Sequence, residues 1–427
     1  MKTLLKNGQT VDRGNTLKPI NILVEDGKIT EISSNFISEN QTIDQVLDIQ
    51  NQLILPGLVD IHVHLRQPGF EYKETIKTGT LAAAHGGFTT VCAMPNLNPV
   101  PDTPEKMAKM LELDKAEAVV NVLQYASITK ERTSEELVDF TGMANAGAFA
   151  FSNDGSGVQT ANCMYQAMKE AKRVNKAIAA HIEDESLMNG GVMHEGKRSR
   201  ELGIPGMPSV TETAQLARDL VLAEATGVHY HVCHVSAKAS VRLIREAKRA
   251  GIHVTAEVAP HHLILSDEDI PYDTAIYKMN PPLPGREDQE ALIEGLLDGT
   301  IDLIATDHAP HSAEEKEGRF VEGAFGIVGS ETAFSLMYTH FVEKGIFTLE
   351  QLVNWMSLAP AKLFNIDSGV LKVGDKADLA VFNIEQEYVI DAADFESKGK
   401  NTPFLGETVK GETQLTMVNG KIVWQKK

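Results

Sequence analysis

Short runs rich in β-branched and small apolar residues, separated by helical stretches, constrain this chain more than any other feature. They lie at 53–64, 89–94, 119–125, 146–152, 177–182, 228–235, 253–258 and 301–305. The segments between them, such as 104–118, 159–175, 211–225 and 237–250, carry apolar residues at mixed three- and four-residue spacing amid charges. That is the pattern of a helix with one buried face. Eight alternating units are the number that closes a (β/α)8 TIM barrel, so the expected fold class is α/β. Polar residues fall at or just after the C-terminal ends of the runs, the end at which such barrels build their sites.

Both chain ends read as β-rich, with hairpin turns at Asp26-Gly27 and Asn419-Gly420. Neither end is long enough for a robust core of its own. Residues 1–55 and 367–427 are therefore expected to pack together as one small β-sandwich domain, with 56–366 forming the barrel.

The formal net charge is −19 over 427 residues, and no basic block interrupts it. Nucleic acid and anionic membrane are poor partners for such a chain, and an anionic small molecule must be attracted locally. The apolar start is cut short by a polar turn, and no run is long enough to span a bilayer, so a cytoplasmic location is expected. Cys92, Cys163 and Cys233 are odd in number and scattered, which favours free thiols.

The run Leu58-Val59-Asp60-Ile61-His62-Val63-His64-Leu65-Arg66 concentrates the chemistry. Alternation along a strand would put Asp60, His62, His64 and Arg66 on one face, two imidazoles and a cation among them. Other runs end in Asp154, His181, His234 and Asp307. Singly, Asp154 reads as a turn residue, His181 and His234 as satisfied core histidines, and Asp307 as a helix cap. Together at one end of a barrel they make four imidazoles and two carboxylates, enough for a pair of divalent metals sharing a bridging carboxylate. Glu183, Asp184 and His308 stand beside them, Glu183 being the nearest alternative because it shares a face with His181. The adjacent His261 and His262 are left to buttress the rim.

The motif HxHLRxPG at 62–69, Met94-Pro95-Asn96, Phe-Ser-Asn-Asp-Gly at 151–155, Met279-Asn280-Pro281-Pro282-Leu283, Thr-Asp-His-Ala-Pro-His at 306–311 and Lys-x-Gly-x-x-Ala-Asp-Leu at 372–379 occur together. In this combination the chain resembles the bacterial class I dihydroorotases of the amidohydrolase superfamily over essentially its whole length. The resemblance implies His62 and His64 as first-metal ligands, His181 and His234 as second-metal ligands, Asp154 as bridge, and Asp307 as catalytic acid/base that also touches the first metal. Arg66, Asn96 and His311 match groups that hold the substrate carboxylate, and His64 is counted with them. Asn280 and the Phe325-Gly326 backbone match further substrate contacts. Related cyclic amidases bridge their metals with a carboxylated lysine, where this chain has Asp154.

The implied reaction is the reversible cyclisation of N-carbamoyl-L-aspartate to L-dihydroorotate plus water, in de novo pyrimidine (UMP) synthesis. A metal-bridging hydroxide and Asp307 would carry it, with zinc as cofactor at two ions per chain. The stretch 312–326 reads equally as a solvated surface loop and as a lid over the substrate. Rival readings are an allantoinase, a hydantoinase or dihydropyrimidinase, and, from another class, a non-catalytic scaffold for a partner such as aspartate transcarbamoylase. A homodimer and an association with that enzyme are left open.

Overall fold

The computed structural model describes residues 1–35, 37 and 42–427; residues 36 and 38–41, inside the expected N-terminal β segment, lie outside the described residues.

The first apolar run is two strands, not one. Leu53–Pro56 runs antiparallel to Leu379–Asn383, whereas Leu58–Val63 pairs in parallel with Phe88–Ala93. The break at Gly57 is steric, since a Cβ there would stand 2.0 Å from Thr89 Oγ1. The Gly57 N–H donates to the Asp378 carbonyl at 3.0 Å, fastening the corner.

Two parallel ladders carry the rest. One contains Leu58–Val63, Phe88–Ala93 and Asn121–Gln124; the other contains Ile178–Ala180, Tyr230–Val232, Val254–Val258 and Leu303–Ile304. The run expected at 146–152 pairs over 149–152 only: Phe149 N and Ser152 N donate to the Gln124 and Ala126 carbonyls, Phe151 N donates to Ala177 O, and Ala179 N donates to Phe151 O. Phe151 thus bridges Ala126 on one side and Ile178 on the other, and a further parallel bridge joins Val63 to His308. Gly147, at φ 105°, follows the helix Phe140–Asn145 closely and leaves few residues to extend before the turn at Asp154.

Alternate residues of these strands face two different cores. Val59, Ile61, Cys92, Ala150, Ala179, Leu303 and Ala305 share one buried cluster, while Leu58, Val91, Ala93, Ile178, Ala180 and Ile304 pack into the cluster that includes the helices. Parallel strands covered on both faces read as near-continuous apolar runs, which is how they stood out in the sequence. Each of the larger buried side chains contributes about 1.5–3 kcal/mol relative to exposure.

The covering helices follow from their spacing. Lys238–Arg249 buries Ser240, Val241, Ile244 and Ala247, one stripe at helical period. Thr75, Thr103 and Thr160 each cap a helix by accepting from a backbone N–H of its first turn, worth about 1 kcal/mol apiece.

The two chain ends meet in one continuous eight-stranded mixed sheet. The expected pair of sheets is thus a single ladder, because Lys2–Arg13 pairs with Thr16–Glu25 and also with Gln45–Asp48 and Leu53. Its core draws Ile22, Val24 and Ile29 from one half and Leu379, Val381 and Met417 from the other. Asp378 ties this sheet to the parallel strands, accepting from Asn419 N at 2.6 Å and Asn121 Nδ2 at 3.0 Å.

Candidate metal centre and active site

The strand Leu58–Val63 delivers His62 and brings His64 just past its end. His62 is fully buried, and its Nδ1 lies 2.5 Å from Glu257 Oε1. A carboxylate accepts only, so Nδ1 carries a proton and Nε2 points the other way. There it meets Asp154 Oδ1 and Asp307 Oδ1, each at 3.3 Å. His64 is turned in the same manner. Its Nδ1 is 2.9 Å from Asn96 Oδ1, and its Nε2 stands 3.0 Å from Asp307 and 3.5 Å from Asp154.

On the far side of Asp154, His181 Nδ1 and His234 Nε2 are 2.9 Å apart and lie 3.7 Å and 3.5 Å from Asp154 Oδ1. Asp154 is therefore shared by four imidazoles. Ligand atoms of His62, His64 and Asp307 fall within 4.8 Å of one another, as do those of His62, Asp154 and His234.

His62 Nε2 and Asp154 Oδ1 are buried without a hydrogen-bond partner. Leaving such atoms unpaired costs roughly 1–3 kcal/mol each, so a site that collects them is built for something else. Neutral imidazoles and carboxylates are the donor set of a borderline divalent cation, and the residues fit one. Burial opposes charge on His181, yet Asp154 and Glu183 outweigh it and hold its proton up to about 10. Burial likewise opposes the Asp154 carboxylate, but the charge of His62 and the nearness of the His181 and His234 rings keep it well below the ordinary range. The cluster is a field that favours positive charge.

Three site residues adopt left-handed backbone: Arg66 (φ 62°), His234 (φ 32°) and Asp307 (φ 49°). Each costs on the order of 1–3 kcal/mol in a non-glycine residue. This departure from strand geometry breaks the alternation expected for Asp60, His62, His64 and Arg66. Asp60 turns away to accept from Thr306 N and Oγ1 and from His62 N. Arg66 bends towards Pro310 O at 3.2 Å and His311 at 3.3 Å. His311 Nε2 is 2.8 Å from the Phe325 carbonyl, and its Nδ1 is 3.1 Å from Glu315 Oε2.

Asn280 lies beside the second histidine pair, donating to Glu183 Oε2 at 2.7 Å with His181 Nε2 at 3.5 Å. Glu183, the alternative ligand, is 3.7 Å from His181 Nε2. The Gly326 N–H donates to the Lys278 carbonyl at 3.0 Å, so the backbone expected to touch substrate is engaged by the chain itself. The charged stretch after His311 is fastened from within, because the buried Lys316 Nζ donates to the carbonyls of Lys278, Ala324 and Gly326 at 3.0, 2.9 and 2.8 Å. His262 sits under this rim, bonded to the Pro281 carbonyl at 2.9 Å.

Sequence reasoning missed the supports. Glu257 also accepts from His231 Nε2 at 2.9 Å and His234 N at 3.2 Å, fixing two metal-facing histidines at once. Glu212 accepts from the backbone of Ser236 and Ala237 and so holds the turn that carries His234. The signal for Glu257 was an acidic residue inside a buried strand, Val254–Val258.

Buried imidazoles and carboxylates gathered at one end of parallel strands define a centre of the metallohydrolase type. The Dihydro-orotase-like family profile matches residues 51–240. The chain is 60% identical over 424 residues to a protein named dihydroorotase from Enterococcus faecalis, covering 99% of both chains. It is 60% identical to one of the same name from Ligilactobacillus salivarius, covering 100% of this chain and 99% of the relative. Among solved structures, an L-hydantoinase (dihydropyrimidinase) from Arthrobacter aurescens superposes with a TM-score of 0.87 at 27% identity, over 99% of this chain and 96% of that one. The chain belongs to the dihydroorotase family.

Proposed function

We propose that the chain is a dihydroorotase, interconverting N-carbamoyl-L-aspartate and L-dihydroorotate plus water in pyrimidine synthesis. The observation that carries this is full-length 60% identity to proteins of that name, together with an Arg66–His311 pair beside a histidine–aspartate centre. The parallel strands and the bridges at Phe151 and Val63 support a closed (β/α)8 barrel over 56–366, with 1–55 and 367–427 forming the accessory β domain.

His62, His64, Asp154, His181, His234 and Asp307 would hold one or two divalent ions, zinc being expected. When bound, such an ion polarises a carbonyl and lowers the pKa of water from 15.7 towards about 7. The remaining work falls to the chain. Asp307 accepts the proton of the carbamoyl nitrogen during ring closure and returns it to the leaving nitrogen during ring opening. Arg66 and His311, with the Asn96 amide, face the substrate carboxylate, and the planar guanidinium suits a bidentate contact. Asn280 closes the other side of the ring, the Gly326 N–H and the carbonyls of Phe325 and Gly326 being engaged within the chain.

A hydantoinase is the second reading, favoured by the structural likeness at 27% identity. Ring opening of L-dihydroorotate, hydantoin and allantoin by one zinc-loaded sample separates the readings. Dihydroorotate is expected to be preferred, and a preference for hydantoin would refute the proposal. A cytoplasmic location accords with the described residues, in which no helix is long and apolar enough to cross a membrane. Light scattering, alone and with aspartate transcarbamoylase, reads whether a homodimer or a complex forms.

A further inference from the structure

A cavity of about 990 Å³ opens among residues that precede the parallel strands, at the end away from the histidines. Ala177, His229 and His253 stand just ahead of the strands Ile178–Ala180, Tyr230–Val232 and Val254–Val258 and line it. Nothing in the reaction described above uses this space.

Its charge runs against that of the chain. Lys115, Lys172, Lys176, Lys362 and Lys376 all line it, in a protein of formal net charge −19. Lys376 pairs with Asp367 at 3.0 Å. Lys115, Lys172, Lys176 and Lys362 make no ion pair among the described residues. The other lining carboxylate, Asp114, is pushed up to about 7 by burial and by Glu117, so it offsets at most one of these ammonium groups. Lys176 is half-buried, and burial pushes its proton affinity down with no counter-charge beside it. A cluster of this kind raises the local concentration of anions in a molecule whose overall field repels them.

One wall is aromatic and uncharged. His229 stacks on His253 with ring centroids 4.4 Å apart and planes 13° apart, and Phe364 lies 5.2 Å from His229. Phe149 continues the wall 5.5 Å from Phe364. Burial pushes His229 down to about 3, so its ring presents a neutral π face at working pH. A cavity with unpaired ammonium groups and a flat aromatic wall matches a ligand with an anionic end and a planar end. Its volume lies at the top of the range of about 300–1,000 Å³ for small-molecule sites.

We propose that this cavity binds a nucleoside phosphate, with the phosphate among Lys115, Lys172, Lys176 and Lys362 and the base against the His229–Phe364 wall. The inference is independent of the substrate assignment, since none of these residues belongs to the histidine–aspartate centre.

The test is calorimetric titration of the full-length protein with adenosine and uridine monophosphates, inorganic phosphate and a short polyglutamate peptide. It compares wild type with a Lys172→Gln/Lys176→Gln double variant and with Phe364→Ala, and melting temperature reports that each variant is folded. At least one nucleotide is expected to bind wild type. Its affinity should fall about tenfold or more in the double variant, through loss of charge-assisted contacts, and less steeply in Phe364→Ala. Inorganic phosphate should bind about tenfold more weakly than the nucleotide. The proposal is overturned by absence of nucleotide binding up to about 5 mM, or by binding that both variants leave unchanged. Phosphate binding as tight as the nucleotide would remove the role of the wall, and peptide binding without nucleotide binding would reassign the cavity to an acidic protein segment.

Discussion

Glu257→Gln is the substitution that most sharply tests how the centre is held. In the native protein one buried carboxylate receives three donors: His62 Nδ1 at 2.5 Å, His231 Nε2 at 2.9 Å and His234 N at 3.2 Å. Burial alone would raise its pKa, but His62 and His231 overcome that and hold Glu257 down to about 2, so the carboxylate is charged throughout the working range. Glutamine has the same shape and only one acceptor oxygen. Its NH2 group must face His62 or His231, where it meets a donor. The loss is one charge-assisted bond plus one unsatisfied donor, on the order of 3 kcal/mol in a fully buried setting.

The functional consequence is orientational. Without its acceptor, His62 is free to give up the proton on Nδ1 and keep one on Nε2, the atom that would have to be bare to hold a metal beside Asp154 and Asp307. Replacing a partner behind a metal-bound histidine typically costs about 10–100-fold in metal affinity. We therefore expect Glu257→Gln to bind zinc about 10–100-fold more weakly in competition with a chromophoric chelator, and to recover part of its dihydroorotate turnover when zinc is added in excess. Zinc affinity equal to wild type, in a protein with a normal melting temperature, would refute the orienting role.

Asp307→Asn should leave the melting temperature within a few degrees of wild type while reducing dihydroorotate ring opening about 100-fold or more, since general acid–base catalysis contributes about 10²–10⁴; steady-state rates check it. Gly57→Ala should destabilise the protein by about 1–3 kcal/mol, because a Cβ 2.0 Å from Thr89 Oγ1 forces two strands apart, and urea unfolding reads the shift. Asp114 gives a pH dependence: burial and then Glu117 raise its pKa from 3.8 to about 7. Between those values the folded state holds a proton that the unfolded state has released, so this group's contribution falls as pH rises and its penalty is complete above about 7. The penalty is on the order of 4 kcal/mol, and Asp114→Asn should be more stable than wild type at pH 8 but not at pH 4 in urea melts.

The sequence made most of the fold legible because strands buried on both faces announce themselves as apolar runs, whatever surrounds them. The same property hid the corner at Gly57. An apolar run that crosses from one sheet to another looks like one strand until the contact of Gly57 with Thr89 is known. Phe151 shows the complementary limit, since its run is apolar over seven residues, yet only 149–152 pair with the neighbouring runs. The candidate ligands were legible as residue types at run ends, but their aim was not. Arg66, His234 and Asp307 point where they do because their backbones leave the extended region, and strand alternation cannot anticipate that. Glu257 left only the trace of an acidic residue in a buried strand, and Glu212 left none, because their partners lie 23 to 195 residues away and are brought to them only by the fold.

The electrostatics of the centre also explain why a carboxylate-rich site can serve an anionic substrate. As the chain stands, Asp154, Asp307, Glu183 and Glu257 face Arg66 as the nearby permanent cation, and the pocket repels a molecule that carries one or two carboxylates. Two divalent ions would bring four positive charges, which with Arg66 offset those four carboxylates and a hydroxide and so remove the repulsion. Hydrogen bonds from His62 and His231 hold Glu257 in place, and one from Asn280 holds Glu183. The attraction of substrate is thus tied to the loading of the site, and Arg66 alone is too little to achieve it. This makes the supports behind the histidines part of substrate recognition as well as of chemistry, because whatever weakens the hold on the metal also returns the pocket to the negative charge of the surrounding protein.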